Sequence, residues 1–341
     1  MARRARMRAT APLALALLLA LGVTTPARAG EESAGTRAAA FLVPLGSPAL
    51  LAMGGSGVAG AGEFAGLQAA SVNAAALART GPLQAYFTHA LLGESGDQDW
   101  AAAGGRWRGT ATRWAVGATF RNEGVIHGRD AFDQPTGDVN ASALALGVQL
   151  ARPFGERFAL GAGTRFVSQG IADSRGIGLA FEAGAQARFG ALRLGLSGRD
   201  FGGGMVWDDR RWRMPASLTA GLGLVHERSG LSFGLDVVLP ADYWRSVRAG
   251  AEWNFRDRLA LRGGYRAELG ADREEPLSGP AFGLGARAGL AWVDYAMVIA
   301  GDGTSTHRFA LSLRGASPAA PPAATIAPAG PAFGPAAEPR R

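Results

Sequence analysis

The sequence predicts an all-β protein: a fourteen-stranded antiparallel transmembrane β-barrel of the bacterial outer-membrane type. Three observations predict it. Segments of strict apolar/polar alternation recur fourteen times after residue 80. The connections between them alternate between long and short without a break. No further apolar segment remains to form a second layer over so many strands.

The chain opens "MARRARMRATAPLALALLLALGVTTPARAG", a basic region, an apolar run from about Pro12 to Val23 and an Ala27-Arg28-Ala29 site. This reads as a secretory signal peptide over residues 1–29, cleaved after Ala29; its apolar run is too short to span a bilayer. The leader carries Arg3, Arg4, Arg6, Arg8 and Arg28 and no acid, so its loss takes the formal charge from +7 to +2. The high isoelectric point is therefore no nucleic-acid footprint, and no nucleic-acid partner is expected. With no cysteine, disulfides, thiolate catalysis and Cys-ligated zinc are excluded. Fifty-one glycines with 18% charged residues are too many for a compact soluble enzyme, yet the chain is too periodic for disorder. The uncharged span 38–62 is broken by Pro44, Pro48 and repeated glycine, so it is not read as a membrane helix.

Period-2 segments lie near 83–91, 99–107, 111–121, 139–151, 156–168, 176–189, 191–199, 214–227, 230–239, 246–255, 257–267, 280–289, 290–299 and 305–314. Most are close to the roughly 9 to 11 tilted residues that cross the hydrocarbon. Long or polar connections fall at 93–98, 122–139, 168–176, 200–213, 239–246, 268–279 and 301–306. Short ones fall at 108–110, 152–156, 189–191, 228–230, 256–257 and 288–291. In an up-and-down sheet alternate turns share an end, so one rim gathers every short turn and the other every long loop, as in outer-membrane barrels. A Greek-key sandwich has no reason to keep that rhythm.

One face of the strands is apolar: Trp114, Val116, Ala118 and Phe120; Leu144, Leu146, Val148 and Leu150; Leu231, Phe233, Leu235 and Val237; Phe309, Leu311 and Leu313. It is expected to meet lipid. The other carries Arg121, Arg165, Glu182, Arg188, Arg193, Arg199, Asp236, Arg248, Glu252, Arg262, Arg266, Arg287, Asp294 and Arg308, and is expected to line the lumen. Trp107, Trp114, Phe158, Phe189, Trp253 and Phe255 then stand near short turns as an aromatic girdle. Gly161, Gly163, Gly184, Gly195, Gly221, Gly223, Gly250, Gly283 and Gly285 fall on the lumen side, where another backbone can approach closely.

"GTRAAAFLVPLGSPALLAMGGSGVAGAGEFAGLQAASVNAAALA" (35–78) resembles the opening of the PorV/PorQ family of FadL-like outer-membrane proteins, with its G-T-x-A-A-x-F-L start, A-x-x-M-G-G-A core and N-P-A-G-L-A ending. The resemblance continues through "NEGVIHGRD", "PTGDVNASALALG" and "DGTSTHRFALSLRG", to about Gly315. Two departures stand out: Asn73-Ala74-Ala75-Ala76-Leu77 lacks the family's proline, and Arg199-Asp200-Phe201-Gly202 replaces Asn-x-Gly. The resemblance implies that residues 30–80 fold inside the barrel (81–315) as a plug, with Phe41, Leu42, Met53, Gly54, Gly55, Asn73 and Leu77 at its family words and a short helix near 70–79. The Pro/Ala-rich segment 316–341 reads as a disordered periplasmic tail.

Catalytic and cofactor chemistry finds little support. "GSGVAG" (55–60) fits G-x-G-x-x-G but lacks the preceding strand and the following acid of a dinucleotide fold, so no cofactor is expected. His89, His127, His226 and His307 are scattered, without metal-ligand spacing. The loop acids Asp130, Asp133, Asp138, Glu274 and Glu275 read as solvated surface ahead of a calcium site. The lumen charges Arg165, Glu182, Arg188, Arg193, Arg248, Glu252, Arg262, Arg287, Asp294 and Arg308 favour a lattice holding barrel and plug together over an anion-selective lining.

The expectation is a non-enzymatic barrel in the outer membrane of a Gram-negative cell, surrounded by outer-membrane lipid. The resemblance implies first a type IX-like role in protein secretion and surface attachment, receiving an exported cargo protein through loops 122–139 and 200–213. The alternative is FadL-type transport of hydrophobic small molecules. That alternative predicts an apolar pocket between plug and wall and a bulge in one strand.

Overall fold

The computed structural model describes residues 37–43, 46–60, 62, 66–92, 96–269, 278–301 and 303–314. The signal peptide, the first residues of the plug and the tail lie outside the described residues.

Fifteen strands follow one another: β1 (Leu83–Leu91), β2 (Asp97–Arg106), β3 (Arg113–Arg129), β4 (Pro135–Phe154), β5 (Phe158–Ile171), β6 (Ser174–Phe189), β7 (Leu192–Trp207), β8 (Arg210–Trp212), β9 (Ser217–His226), β10 (Leu231–Pro240), β11 (Arg245–Phe255), β12 (Leu259–Leu269), β13 (Gly279–Ala288), β14 (Ala291–Ile299) and β15 (Ser305–Arg314). Each pairs antiparallel with its sequence neighbour, except that β9 pairs with β7 while β8 hangs from the upper end of β7. Pairing of β1 with β15, Gln84↔Arg314 to Leu91↔His307, closes the ring. The result is a closed fourteen-stranded antiparallel barrel, the expected fold class. No described helix is long and apolar enough to cross a membrane; the strands form the wall.

Two segments expected as loops are largely strand. β3 runs out to Arg129 and β4 starts at Pro135, with register shifts between Asn122 and Val125 and at Gly128. β7 continues to Trp207 and folds back as β8. The segment expected as a loop at 168–176 shrinks to a tight turn, because Ile171 pairs with Ser174. In all three places apolar alternation stops while ladder pairing continues. Beyond the hydrocarbon no lipid face demands alternation, and runs such as Val125-Ile126 and Met205-Val206-Trp207 give no period-2 signal.

Exposure alternates along the wall. Val116, Phe120, Leu146, Val148, Leu150, Phe233, Phe309, Leu311 and Leu313 point outward and are exposed, as lipid-facing side chains are, and Trp107, Phe158, Trp253 and Phe255 stand exposed beside short turns. Val237 departs from this pattern and is buried, near the long-loop end of β10. Inside the ring lie a 3-10 turn (Ala40–Leu42), α1 (Pro48–Ala52), α2 (Leu67–Ala70) and a 3-10 helix (Ala74–Arg79). Two short helices thus replace the single one expected near 70–79. Asn73 caps the second by accepting from Ala75 N at 3.0 Å, supplying the turn that the missing proline would have set.

The plug seats on glycine. A Cβ at Gly250 would lie 2.4 Å from Met53 O, at Gly195 2.2 Å from Val58 O, and at Gly161 2.4 Å from Ala74 C. Gly264, not singled out from sequence, is as tight: a Cβ there would lie 2.2 Å from Gly54 N. The wall is smooth where the plug backbone passes.

Candidate functional site

The interior charges sort into clusters. Arg262 donates from Nε to Glu252 at 2.6 Å and from Nη1 to Asp294 at 2.6 Å, and Trp292 Nε1 donates to the same Asp294 oxygen at 2.8 Å. The plug joins here through Gln68 Nε2, which donates to Ser312 Oγ at 2.6 Å. A second cluster pairs Arg165 with Glu182 and with Asp200, the latter at 2.8 Å, while Gln149 donates to Glu182 and to Ala70 O of the plug. Arg308 is buried on the lumen face of β15, and Arg193 is buried near the short-turn end with Arg188 half-buried beside it. Arg287 departs from the expected lumen set. It lies at the strand end, exposed on the rim, with Nε donating to Gly289 O.

The plug residues named from sequence are all interior: Phe41, Leu42, Met53, Asn73 and Leu77 are buried, and Gly54 and Gly55 take φ of 67° and 82° at the turn after α1. Asn73 Nδ2 faces three carbonyls, Val58 O at 2.9 Å and Ala185 O and Leu196 O at 3.3 Å, tying the plug to β6 and β7. Asp236 Oδ2 accepts from Gly57 N at 2.8 Å and Val58 N at 3.0 Å. Asp236→Ala removes two charge-assisted hydrogen bonds of about 1.5–3 kcal/mol each. It is expected to free the Ser56–Ala59 turn, which limited proteolysis of the folded protein will report as faster cleavage there.

At the long-loop end, one cavity of about 300 Å³ opens between plug and wall. Its plug side is Leu42, Val43, Gly55, Val58 and Val72; its wall side is Arg199 and Asp200 of β7, Val238 of β10, Arg248 of β11, Arg266 of β12, and Tyr243 with Trp244 from the β10–β11 loop. The N-terminal arm roofs it: Ala38 N donates to Arg213 O at 3.1 Å, and the Arg37 guanidinium reaches Met214 O and Ala241 O at 3.4 Å. Burial raises the Asp242 carboxyl above its ordinary value, with Arg37 opposing. A smaller space of about 50 Å³ lies across the plug beside Trp100 and Gln149, too small for an organic ligand.

The cavity's charge balance is uneven. Asp200 is held by Arg165, Asp236 by plug N–H groups, and Arg266 donates to Glu268 at 2.7 Å. Among the described residues Arg248 makes one side-chain hydrogen bond, to Ser246 Oγ at 3.3 Å, with no carboxylate in direct contact, and the carboxylate facing Arg199 is Glu182 at 3.8 Å. Arg199 Nη2 has no hydrogen-bond partner among the described residues. An apolar chamber with two under-compensated guanidiniums suits an apolar molecule with a negative or strongly accepting end.

The wall is irregular beside it. β7 leaves β9 after Arg199↔Ser217, and the β6–β7 ladder shifts register between Leu179 and Phe181 and again before Ala183. Sequence reasoning placed Arg199, Asp236 and Arg248 on this face but missed Val58, Val238, Tyr243 and Trp244. The aromatic pair in "LPADYWRS" was the available signal.

The histidines have local partners: His89 with Asp99 at 2.8 Å, His127 with Asp138 at 2.7 Å, His226 with Ser229 at 2.7 Å and His307 with Tyr295 at 2.8 Å. His89, Asp97 and Asp99 come together, but Asp99 faces His89 and Asp97 accepts from Asn122 at 3.3 Å. Asp130 accepts from Phe132 N and Gln134 N, and Asp133 pairs with Arg129, so these acids serve their own hairpin. Glu274 and Glu275 lie outside the described residues.

Among solved structures, the chain is similar to the monoaromatic hydrocarbon channel CymD: 14% identity, TM-score 0.55, covering 78% of this chain and 96% of that one. It is similar to the toluene transporter TodX of Pseudomonas putida at 12% identity and TM-score 0.55, with coverage of 78% and 96%. A FadL homologue of Pseudomonas aeruginosa matches at 13% identity and TM-score 0.50, with coverage of 79% and 98%. No family model and no curated protein matches the chain. The fold is that of FadL-type outer-membrane barrels.

Proposed function

We propose that this barrel carries hydrophobic small molecules across the outer membrane, binding them in the cavity beneath the N-terminal arm. The cavity between plug and wall carries this reading. It has the size of a small-ligand site, apolar walls and a few placed polar groups, beside a break in the wall pairing. Arg199 and Arg248 favour ligands with an acidic head over plain hydrocarbons. The FadL-type neighbours support the same reading at the level of fold.

Titration calorimetry of the purified protein with decanoate and with toluene tests this. Decanoate is expected to bind, and Val238→Trp, which fills the cavity, to weaken it at least about tenfold by overpacking. No binding of either probe, or binding indifferent to Val238→Trp, would overturn the proposal.

The secretion role implied by the PorV/PorQ resemblance keeps one supporting observation. The β3–β4 hairpin presents Val125, Ile126 and Phe132 to solvent, with Phe132 83% exposed. Exposed apolar groups at a hairpin tip suit a protein partner. An exported protein that co-purifies with the parent chain and is lost from Phe132→Ser would favour that role; a ligand-loaded barrel without one favours transport.

A further inference from the structure

The rim that gathers the short turns is basic. Arg108, Arg157, Arg228, Arg256, Arg258 and Arg287 are all exposed there, and the acids of this rim among the described residues are Glu156, Glu227 and Asp257. The opposite end mixes its signs, with Arg129, Arg175 and Arg210 set among Asp130, Asp133 and Asp173. The asymmetry belongs to one rim and is not a property of the whole surface.

In one sector these arginines border an apolar groove. On the outward face of β11 to β14, Trp253, Phe255, Leu259, Leu261, Leu284 and Val293 line a groove of about 560 Å³. Alternation points these side chains away from the lumen. At the groove's short-turn end, the Arg256 guanidinium lies over the Phe255 ring, 5.0 Å from its centre. Arg287 N donates to Arg258 O at 2.8 Å, which sets the Arg258 and Arg287 strand ends side by side. An aromatic floor with the Arg256 guanidinium over it, an aliphatic wall, and the exposed rim residues Arg258 and Arg287 on the adjoining strand ends match the parts of a phospholipid: acyl chain, interfacial glycerol and phosphate.

We infer that this groove is a binding site for an anionic phospholipid of the leaflet facing the short turns. One acyl chain lies along Leu259, Leu261, Leu284 and Val293, and the headgroup phosphate rests on Arg256, Arg258 and Arg287. A lipid is favoured over an acidic protein because the groove faces outward at the depth of the aromatic girdle, where a barrel wall meets bilayer. The inference rests on the membrane fold and is independent of what crosses the lumen.

The test is native mass spectrometry of the full mature chain after exchange into micelles holding equal phosphatidylglycerol and phosphatidylethanolamine. The parent protein is expected to retain phosphatidylglycerol preferentially. In R256Q/R258Q/R287Q the preference is expected to fall about fivefold for each guanidinium removed, from roughly 1 kcal/mol per charge. R108Q/R157Q, in another sector of the rim, is expected to keep it. Retention of the folded band on unheated gels shows that each variant is a barrel. Equal retention of both lipids by the parent would overturn the site. So would an equal loss in R108Q/R157Q, which would mean diffuse charge only, or recovery of an acidic protein on these arginines with no lipid preference.

Discussion

An Arg262→Leu chain is expected to lose about 3–5 kcal/mol of stability and to unfold in detergent well below the parent's midpoint. Arg262, Glu252 and Asp294 each expose only 1% of their side chains, so removing Arg262 takes from two buried carboxylates the guanidinium they share. Trp292 and Gln68 remain aimed at Asp294, but as neutral donors they do not replace the lost charge. Adding Glu252→Gln and Asp294→Asn to Arg262→Leu removes both carboxylate charges and is expected to recover part of the loss. Thermal unfolding followed by circular dichroism checks both; an unchanged midpoint for Arg262→Leu would show that the cluster does not stabilise the fold.

The second large effect is expected from Gly264→Val. Its Cβ would sit 2.2 Å from Gly54 N, and the neighbouring atoms are plug backbone that cannot rotate away. The wall strand is held on both sides by full ladders to β11 and β13, so the plug is the part that yields. The strain of overpacking is about 1–3 kcal/mol. The functional readout is larger, because lifting the Met53–Gly55 turn opens a path through the lumen. Planar-bilayer conductance should change from closed or near-closed to persistently open. Gly263→Val, whose Cβ meets nothing within 4 Å, is the control expected to stay closed.

Strand count, order and facing were legible because a membrane wall imposes one rule on every strand: apolar outward, polar or small inward. That rule located Glu252, Arg262 and Asp294 without knowledge of their contacts. It failed where the membrane ends. β3, β4 and β7 continue past the zone where lipid imposes alternation, so pairing persists without a regular pattern, and Arg287 obeys the inward register while emerging at the rim. The cavity was less legible for a different reason. Leu42, Val58, Val238 and Trp244 come from separate segments whose local patterns are those of a plug, a strand and a loop. Only closure of the ring brings them together.

The seam between β1 and β15 has a consequence for how the molecule is assembled. It joins residues 84–91 to 307–314, so the two edges of the sheet stay unpaired until nearly the whole chain has been delivered. Contacts of such sequence separation make folding slow, and open strand edges invite mispairing while they wait. The plug precedes β1 in the chain and touches strands on both halves, Met53 against β11 and Asn73 against β6 and β7. It is therefore present before the last strand is made, and its backbone can serve as the former around which the unfinished sheet curves, turning a late, improbable encounter of distant edges into a short-range one.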